Sequence, residues 1–141
     1  MRRSLILLAV TAFLVMTTAA LAGAEKPQTV CPVSGKTINK ATSPHIDWQG
    51  QRIYFDSQDS RATFKADPEK YFTKAATEGV VFENIQTVCP VSGEKLGGMG
   101  KPTYRDYKGR RVMFCCGSCK KTFDQNADNY LAKLPGEQPA K

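Results

Sequence analysis

Residues 112–123 read V-M-F-C-C-G-S-C-K-K-T-F and place three of the chain's five cysteines, Cys115, Cys116 and Cys119, within five positions. An apolar, strand-like run precedes this cluster and a helix-like continuation follows it. A fourth cysteine, Cys89, lies upstream in the sequence C-P-V-S-G. Thiolates that come from a turn and from a strand-to-helix junction can enclose a soft metal ion. The sequence therefore predicts a thiol-rich metal site in this half of the chain.

The C-P-V-S-G sequence is part of an internal repeat. T-V-C-P-V-S-G at residues 29–35 recurs at residues 87–93, with seven identical residues at an offset of 58. Residues 45–55 then align with residues 104–114 at an offset of 59. Each copy is too small to bury a full hydrophobic core alone, so we expect the two copies to pack on each other.

Each copy reads as a knuckle, a β-hairpin and two short helices, which makes the predicted fold class α+β. In the knuckle, proline fixes one φ angle and glycine supplies a permissive conformation after it. Gln49-Gly50 and Lys108-Gly109 mark the hairpin turns. The expected helices run from Asp56 or Ser57 to about Ala66, from Asp67-Pro68 to Gly79, from Ser118 to about Gln125 and from Ala127 to about Leu134. The expected core residues are Trp48, Phe64, Tyr71, Phe72, Tyr107, Phe123, Tyr130 and Leu131.

The pattern divides the chain into five segments. They are a signal peptide at residues 1–24, a first repeat at 29–78, an extended linker at 79–86, a second repeat at 87–134 and a tail at 135–141. The short polar tail is expected to fray.

The N-terminus has the features of a secretory signal peptide. Arg2 and Arg3 precede an apolar run at residues 5–16, and Ala20-Leu21-Ala22 offers a cleavage site. The run is shorter than the roughly 20 residues that span a bilayer, so no stable membrane anchor is expected after cleavage. We expect an exported, soluble protein of the periplasm.

The charge is concentrated in the cysteine-rich half. The formal net charge is +7 and falls to +5 without Arg2 and Arg3. Residues 29–86 carry 7 basic and 7 acidic side chains, whereas residues 87–134 carry 9 and 4. Nucleic acid is not an expected partner of an exported protein. Nearby Lys and Arg instead favour thiolate over thiol.

The hairpin that ends in F-C-x-x-x-C, with a Phe four residues on and a Tyr seven further, resembles the YHS/TRASH domain family. The resemblance covers nearly all of residues 29–134 as two tandem copies. It implies two treble-clef-like units and a role in heavy-metal binding, sensing or trafficking. It also implies that Cys89, Cys115 and Cys119 are the metal ligands.

The first copy departs from this pattern, because Asp56 and Ser60 stand where the second copy has cysteines. Cys31 is kept, and together with His45, Asp56 and Asp59 it offers a weaker and harder ligand set. Helix capping explains the two aspartates equally well.

The second copy offers three sulfurs and one vacant position, since Ser92 replaces the second cysteine of a zinc knuckle. Closed sites with four ligands are structural, whereas incomplete ones are labile or reactive. Met99 on the glycine-rich loop or Cys116 is a further candidate ligand. Copper and zinc are the expected transition-metal ions. A periplasmic metal-trafficking protein or a transporter is the expected protein partner.

Three other interpretations remain open from the sequence. The cysteines could form disulfides that stabilise an interaction module in an oxidising compartment. Cys116-Gly117-Ser118-Cys119 is formally a C-x-x-C sequence and fits thiol–disulfide exchange. The cluster could also be purely structural, with an adventitious metal. His45 is the only histidine and lies in the other copy, so no Cys–His catalytic pair is expected and the protein is predicted not to be an enzyme.

Overall fold

The computed structural model describes residues 25–140, so the predicted signal peptide lies outside the described residues. The first copy and the segment after it contain β1 (Lys26–Pro27), β2 (His45–Trp48), β3 (Gln51–Tyr54), α1 (Gln58–Ala66), α2 (Pro68–Thr77), β4 (Val80–Val81) and β5 (Glu83–Asn84). The second copy contains β6 (Thr103–Tyr107), β7 (Arg110–Phe114), α3 (Gly117–Gln125) and α4 (Ala127–Leu131). The mixed α+β class is therefore confirmed.

The two knuckles have the same geometry. The N–H of Gly35 donates to the carbonyl of Cys31 over 2.9 Å, and the N–H of Gly93 donates to the carbonyl of Cys89 over 2.9 Å. Both glycines have positive φ angles, 75° and 76°. Such angles favour glycine, which explains its place at the end of each C-P-V-S-G sequence.

The hairpins turn where the sequence predicts. In the first, Gln49 and Gly50 have φ angles of 43° and 81°, and in the second, Lys108 and Gly109 have φ angles of 47° and 74°. Two consecutive positive φ angles define the type I′ turn, whose twist matches that of the strands it joins.

The four predicted helices are present with small differences at their ends. Ser57, rather than Asp56, caps α1, and Asp67 caps α2 with Pro68 at its first position. Helix α3 begins at Gly117 with Cys116 as its N-cap residue. Helix α4 ends at Leu131, short of the predicted Leu134.

A glutamine in front of each knuckle ties it to the hairpin of the same copy. The side-chain amide of Gln28 donates to the carbonyl of Tyr54 over 2.7 Å and accepts from its N–H over 3.0 Å. Gln86 makes the same two bonds with Met113, at 3.3 Å and 2.9 Å. Each carboxamide thus pairs with the strand edge as a peptide group would. Gln28 and Gln86 also extend the identical stretch of the repeat by one residue.

Each copy has its own hydrophobic core, with a phenylalanine at the centre. The ring of Phe64 lies 5.3 Å from Phe55, and that of Phe123 lies 5.1 Å from Phe114. The first core contains Cys31, Ile46, Trp48, Ile53, Phe55, Phe64, Tyr71, Phe72, Ala75 and Phe82. The second contains Cys89, Val112, Phe114, Cys115, Cys119, Phe123, Leu131 and Leu134, with Tyr107 and Tyr130 partly buried against it.

The copies meet through the second hairpin and helix α2. The fully buried Arg110 places its guanidinium carbon 3.8 Å from the ring centroid of Phe72. Its side chain also forms an ion pair with Glu69 at 2.5 Å. Gly109 lies so close to the same helix that an added Cβ would be 2.3 Å from the carbonyl oxygen of Phe72. The two copies pack on each other as expected. Each copy keeps its own hydrophobic core, and the contacts of Arg110 and Gly109 with helix α2 join the copies.

The segment at residues 79–86 is part of the sheets as well as a connection. Strand β4 pairs in parallel with β1, and β5 pairs with β3. The sequence predicted an extended and half-buried segment, and Phe82 within it is fully covered at 3% exposure.

The tail, which the sequence predicts to fray, contacts the first hairpin in the structure. The N–H of Glu137 donates to the carbonyl of Asp47 over 2.7 Å, and the N–H of Gln49 donates back to Glu137 over 3.2 Å. Lys65 forms an ion pair with the Glu137 carboxylate at 2.6 Å. The first hairpin offers unpaired backbone groups at its turn, and the tail satisfies them. Within the described residues 25–140, no helix is long and apolar enough to cross a membrane.

The packing of Gly109 predicts an unequal response to alanine. Gly109→Ala should lower the free energy of unfolding by about 3 kcal/mol, since strain at positive φ adds to the clash with Phe72. Gly35→Ala has a matching φ angle of 75° and open space around the added Cβ, so it serves as the control. Gly35→Ala should cost only about 1 kcal/mol. Equal costs in urea denaturation would contradict the close contact between the copies.

Candidate metal centre

Three predicted ligands lie together in the second copy. The Sγ atoms of Cys89, Cys115 and Cys119 all lie within 4.8 Å of one another. The three residues are buried, with 1%, 5% and 8% of their surface exposed. Among the described residues 25–140, only this group brings three or more histidine, cysteine or carboxylate side chains close enough to share one ion.

The local fold explains why these sulfurs converge. Cys115 directly follows β7, and Cys119 lies in the first turn of α3. Phe114 and Phe123 hold that strand against that helix, so the two sulfurs lie 3.7 Å apart. Cys89 is brought to them because Gln86 fastens its knuckle to the backbone of β7.

The sulfur positions fit a thiophilic ion. A zinc–sulfur bond of about 2.3 Å in tetrahedral geometry separates two sulfurs by about 3.8 Å. The 3.7 Å between Cys115 and Cys119 matches this spacing, and the limit of 4.8 Å for the set requires only a small contraction. Because the donors are all sulfur, the set favours Cu(I), Zn(II) and heavier soft ions over hard cations. No disulfide joins any of the five cysteines.

The cysteines of the cluster differ in how readily they ionise. Burial opposes ionisation of Cys89, but hydrogen bonds from the backbone N–H groups of Ser92 and Cys115 outweigh it and lower the pKa of the thiol to about 7. Burial raises the pKa of Cys119 to about 12, assisted by hydrogen bonds with its neighbouring cysteines. Cys119 is therefore not the first thiol of the cluster to ionise. A bound cation would favour its thiolate and so oppose the effect of burial on its pKa.

Of the two further ligand candidates, the structure places Cys116 beside the cluster. Its Sγ lies 3.8 Å from that of Cys115 and 3.6 Å from that of Cys119. A hydrogen bond with the Ser118 hydroxyl at 3.0 Å fixes the sulfur, and this bond is the main reason that the pKa of Cys116 falls to about 6. Met99 is 69% exposed on its loop and does not pack onto the buried sulfurs.

The corresponding place in the first copy is filled by hydrogen bonds. Ser60 donates to the Asp56 carboxylate over 2.7 Å. Hydrogen bonds from Cys31, Ser60 and Ser34 hold the pKa of Asp56 well below its usual range. The structure therefore uses Asp56 as an acceptor beside the fully buried Cys31.

The other proposed members of a first-copy site do not join them. His45 is exposed and packs against the ring of Tyr54, with 5.7 Å between the ring centroids. Asp59 is exposed in the first turn of α1. In the part of the chain that the structure describes, the Cys31, His45, Asp56 and Asp59 set does not form a ligand group.

Two residues that position the site were missed in the sequence. Gln86 directs the knuckle and Ser118 directs the Cys116 sulfur. The identity of Gln28 and Gln86 at the offset of the repeat was a usable signal for the first. A serine at the start of a helix gives no comparable signal, because capping explains it equally well.

The low pKa of Asp56 predicts a pH-dependent loss of stability. Its pKa in the folded protein lies below its unfolded value, so the carboxylate stabilises the fold above about pH 4. This contribution disappears as the pH falls through the folded-state pKa. Asp56→Asn should therefore be less stable than the parent at pH 7, and the difference should shrink below about pH 4.

Denaturation at several pH values checks this, with Asp59→Asn, at an exposed position in the first turn of α1, as the control. A stability difference for Asp56→Asn that stays constant between pH 7 and about pH 3 would contradict the assignment.

Comparisons of the chain with protein-family models, with curated proteins and with solved structures found no match.

Proposed function

We propose that this chain is an exported, non-catalytic metal-binding protein that holds one thiophilic ion through Cys89, Cys115 and Cys119. The observation that carries the proposal is the convergence of three buried sulfurs within 4.8 Å of one another. Copper and zinc fit such a donor set best, and heavier soft ions fit it as well.

The comparison between the copies indicates that the cysteines of the second copy serve a purpose other than folding. The same scaffold carries Asp56 and Ser60 in the first copy and Cys115 and Cys119 in the second. The first arrangement satisfies its polar groups internally, with Ser60 bonded to Asp56 at 2.7 Å. The scaffold thus needs no cysteines at these positions to fold, and a separate reason is required for those in the second copy.

The incomplete ligand set favours a carrier or resistance role over a structural metal. Structural zinc sites are closed by four protein ligands, whereas Ser92 occupies the fourth knuckle position here. The signal-peptide pattern in residues 1–24 favours the periplasm as the location of the proposed function, with a metal-trafficking protein or a transporter as the partner.

Thiol–disulfide exchange is a second candidate with a specific observation behind it. The sulfurs of Cys116 and Cys119 lie 3.6 Å apart at the start of α3, and the pKa of Cys116 is lowered to about 6. A low-pKa thiol beside a second thiol is the arrangement that such exchange requires.

Metal content and a thiol count on the mature protein, isolated without chelator, test the proposal. We expect about one copper or zinc per chain, with the cluster thiols becoming reactive only after the metal is removed. Cys89→Ser should weaken metal binding by about a hundredfold or more, because one of three metal–sulfur bonds is lost. Cys31→Ser changes the equivalent knuckle cysteine of the first copy and should leave the affinity unchanged.

Two experimental results would contradict the proposed function and favour another. A metal-free protein with four of its five cysteines paired would indicate a module stabilised by disulfides. Oxidoreductase activity that disappears in Cys116→Ser, in a protein that binds no metal, would indicate thiol exchange.

A further inference from the structure

The four sulfurs of the second copy form two triangles that share an edge. Cys89, Cys115 and Cys119 form the first, with all sulfurs within 4.8 Å of one another. Cys115, Cys116 and Cys119 form the second, with sulfur–sulfur distances of 3.8, 3.7 and 3.6 Å. Tetrahedral metal–thiolate bonds separate sulfurs by about 3.8 Å, so the second triangle already has the spacing that a single soft ion requires and the first reaches it with a small contraction.

The two triangles differ in their access to solvent. Cys89 is 1% exposed, so an external ligand cannot reach an ion at the centre of the first triangle past that residue. Cys116 is only half-buried, and it is the most accessible cysteine of the four. The side of the second triangle at Cys116 is therefore the side on which a ligand from another molecule can approach.

We propose that Cys116 is a transfer ligand, and that the ion moves between a buried position and an outer one by exchanging Cys89 for Cys116. This inference rests on the proposed metal-binding function. Cys115 and Cys119 stay bound throughout, because they belong to both triangles. The partner is an acceptor that presents thiolates, since only soft donors compete with the three sulfurs that hold the ion in the outer position.

The exchange is balanced without any change in oxidation state. A bond forms between the ion and the Cys116 sulfur as the bond to the Cys89 sulfur breaks. Cys116 binds as a thiolate and Cys89 leaves as a thiolate, so the exchange itself involves no net transfer of a proton or of charge. In the outer position the thiolates of the acceptor then bind the ion, and the bonds to Cys115, Cys119 and finally Cys116 break, each sulfur leaving as a thiolate.

The hydrogen bond between Ser118 and Cys116 prepares this step. The Ser118 hydroxyl lies 3.0 Å from the Cys116 sulfur and 118 is an exposed position, so the contact orients the sulfur without covering it. Ser118 is thus a positioning residue for the transfer ligand.

Affinity and transfer rate, measured separately on the full mature chain without oxygen, test the inference. The probes are Zn²⁺ and Cu⁺, each titrated against a chromophoric chelator and then transferred to a small dithiol in stopped-flow experiments. Cys116→Ser should keep the affinity within about threefold but slow transfer by about tenfold, which corresponds to about 1.4 kcal/mol of activation free energy. Ser118→Ala should slow transfer less, and Cys31→Ser should change neither quantity.

The outcomes separate this inference from the function on which it rests. If Cys116→Ser transfers either ion at the parent rate, the transfer role is wrong and the three-cysteine site stands. If Cys116→Ser loses affinity as Cys89→Ser does, Cys116 is a resident ligand and the exchange is also wrong. If the parent chain binds neither ion, the function and the inference fail together. A circular dichroism spectrum unchanged from the parent shows that the variant is folded.

Discussion

The arrangement of the second copy depends on the carboxamide of Gln86. A glycine-rich loop separates the knuckle from the hairpin, so contacts outside that loop must fix their relative position. Gln86 supplies that constraint by pairing with both the N–H and the carbonyl of Met113. Because Cys89 is three residues after Gln86 and Cys115 is two residues after Met113, the same pair of bonds sets the distance between two sulfurs of the cluster. Gln28 makes the equivalent bonds to Tyr54 in the first copy, so this pair of hydrogen bonds is common to both copies of the repeat.

One scaffold therefore presents two chemistries. Behind the first knuckle, a serine and a carboxylate satisfy each other and Cys31 is completely buried. Behind the second, sulfur replaces both oxygens, and the cluster has weak hydrogen-bonding groups in place of strong ones. A buried carboxylate without partners would be costly, whereas buried thiols are tolerated as small apolar groups. On the proposed function, the second copy could thus fold before an ion binds, and the free energy of metal binding would then be available for affinity.

Much of this organisation was accessible from the sequence because it is local. The type I′ turns at Gln49-Gly50 and Lys108-Gly109, the capped helices and the matched core phenylalanines follow from short-range rules. Docking of the tail was not accessible, because Glu137 and Asp47 pair through backbone atoms that leave no side-chain pattern. The direction of the Cys116 side chain was also hidden, since neighbouring residues at the start of a helix ordinarily point apart. Its hydrogen bond with Ser118 and the N-cap conformation decide this direction.

The burial of the four sulfurs bears on what kind of metal protein this chain would be. Full burial of every ligand slows exchange and suits an ion that stays for the lifetime of the fold, as in closed structural sites. Full exposure suits release but lets water and oxidants reach the thiolates. Here Cys89 is 1% exposed and Cys116 is half-buried, while Cys115 and Cys119 lie between them within bonding range of either position. On the proposed function, this difference in exposure would allow both retention and release, because the sulfur that faces solvent is not one of the three proposed to hold the ion at rest.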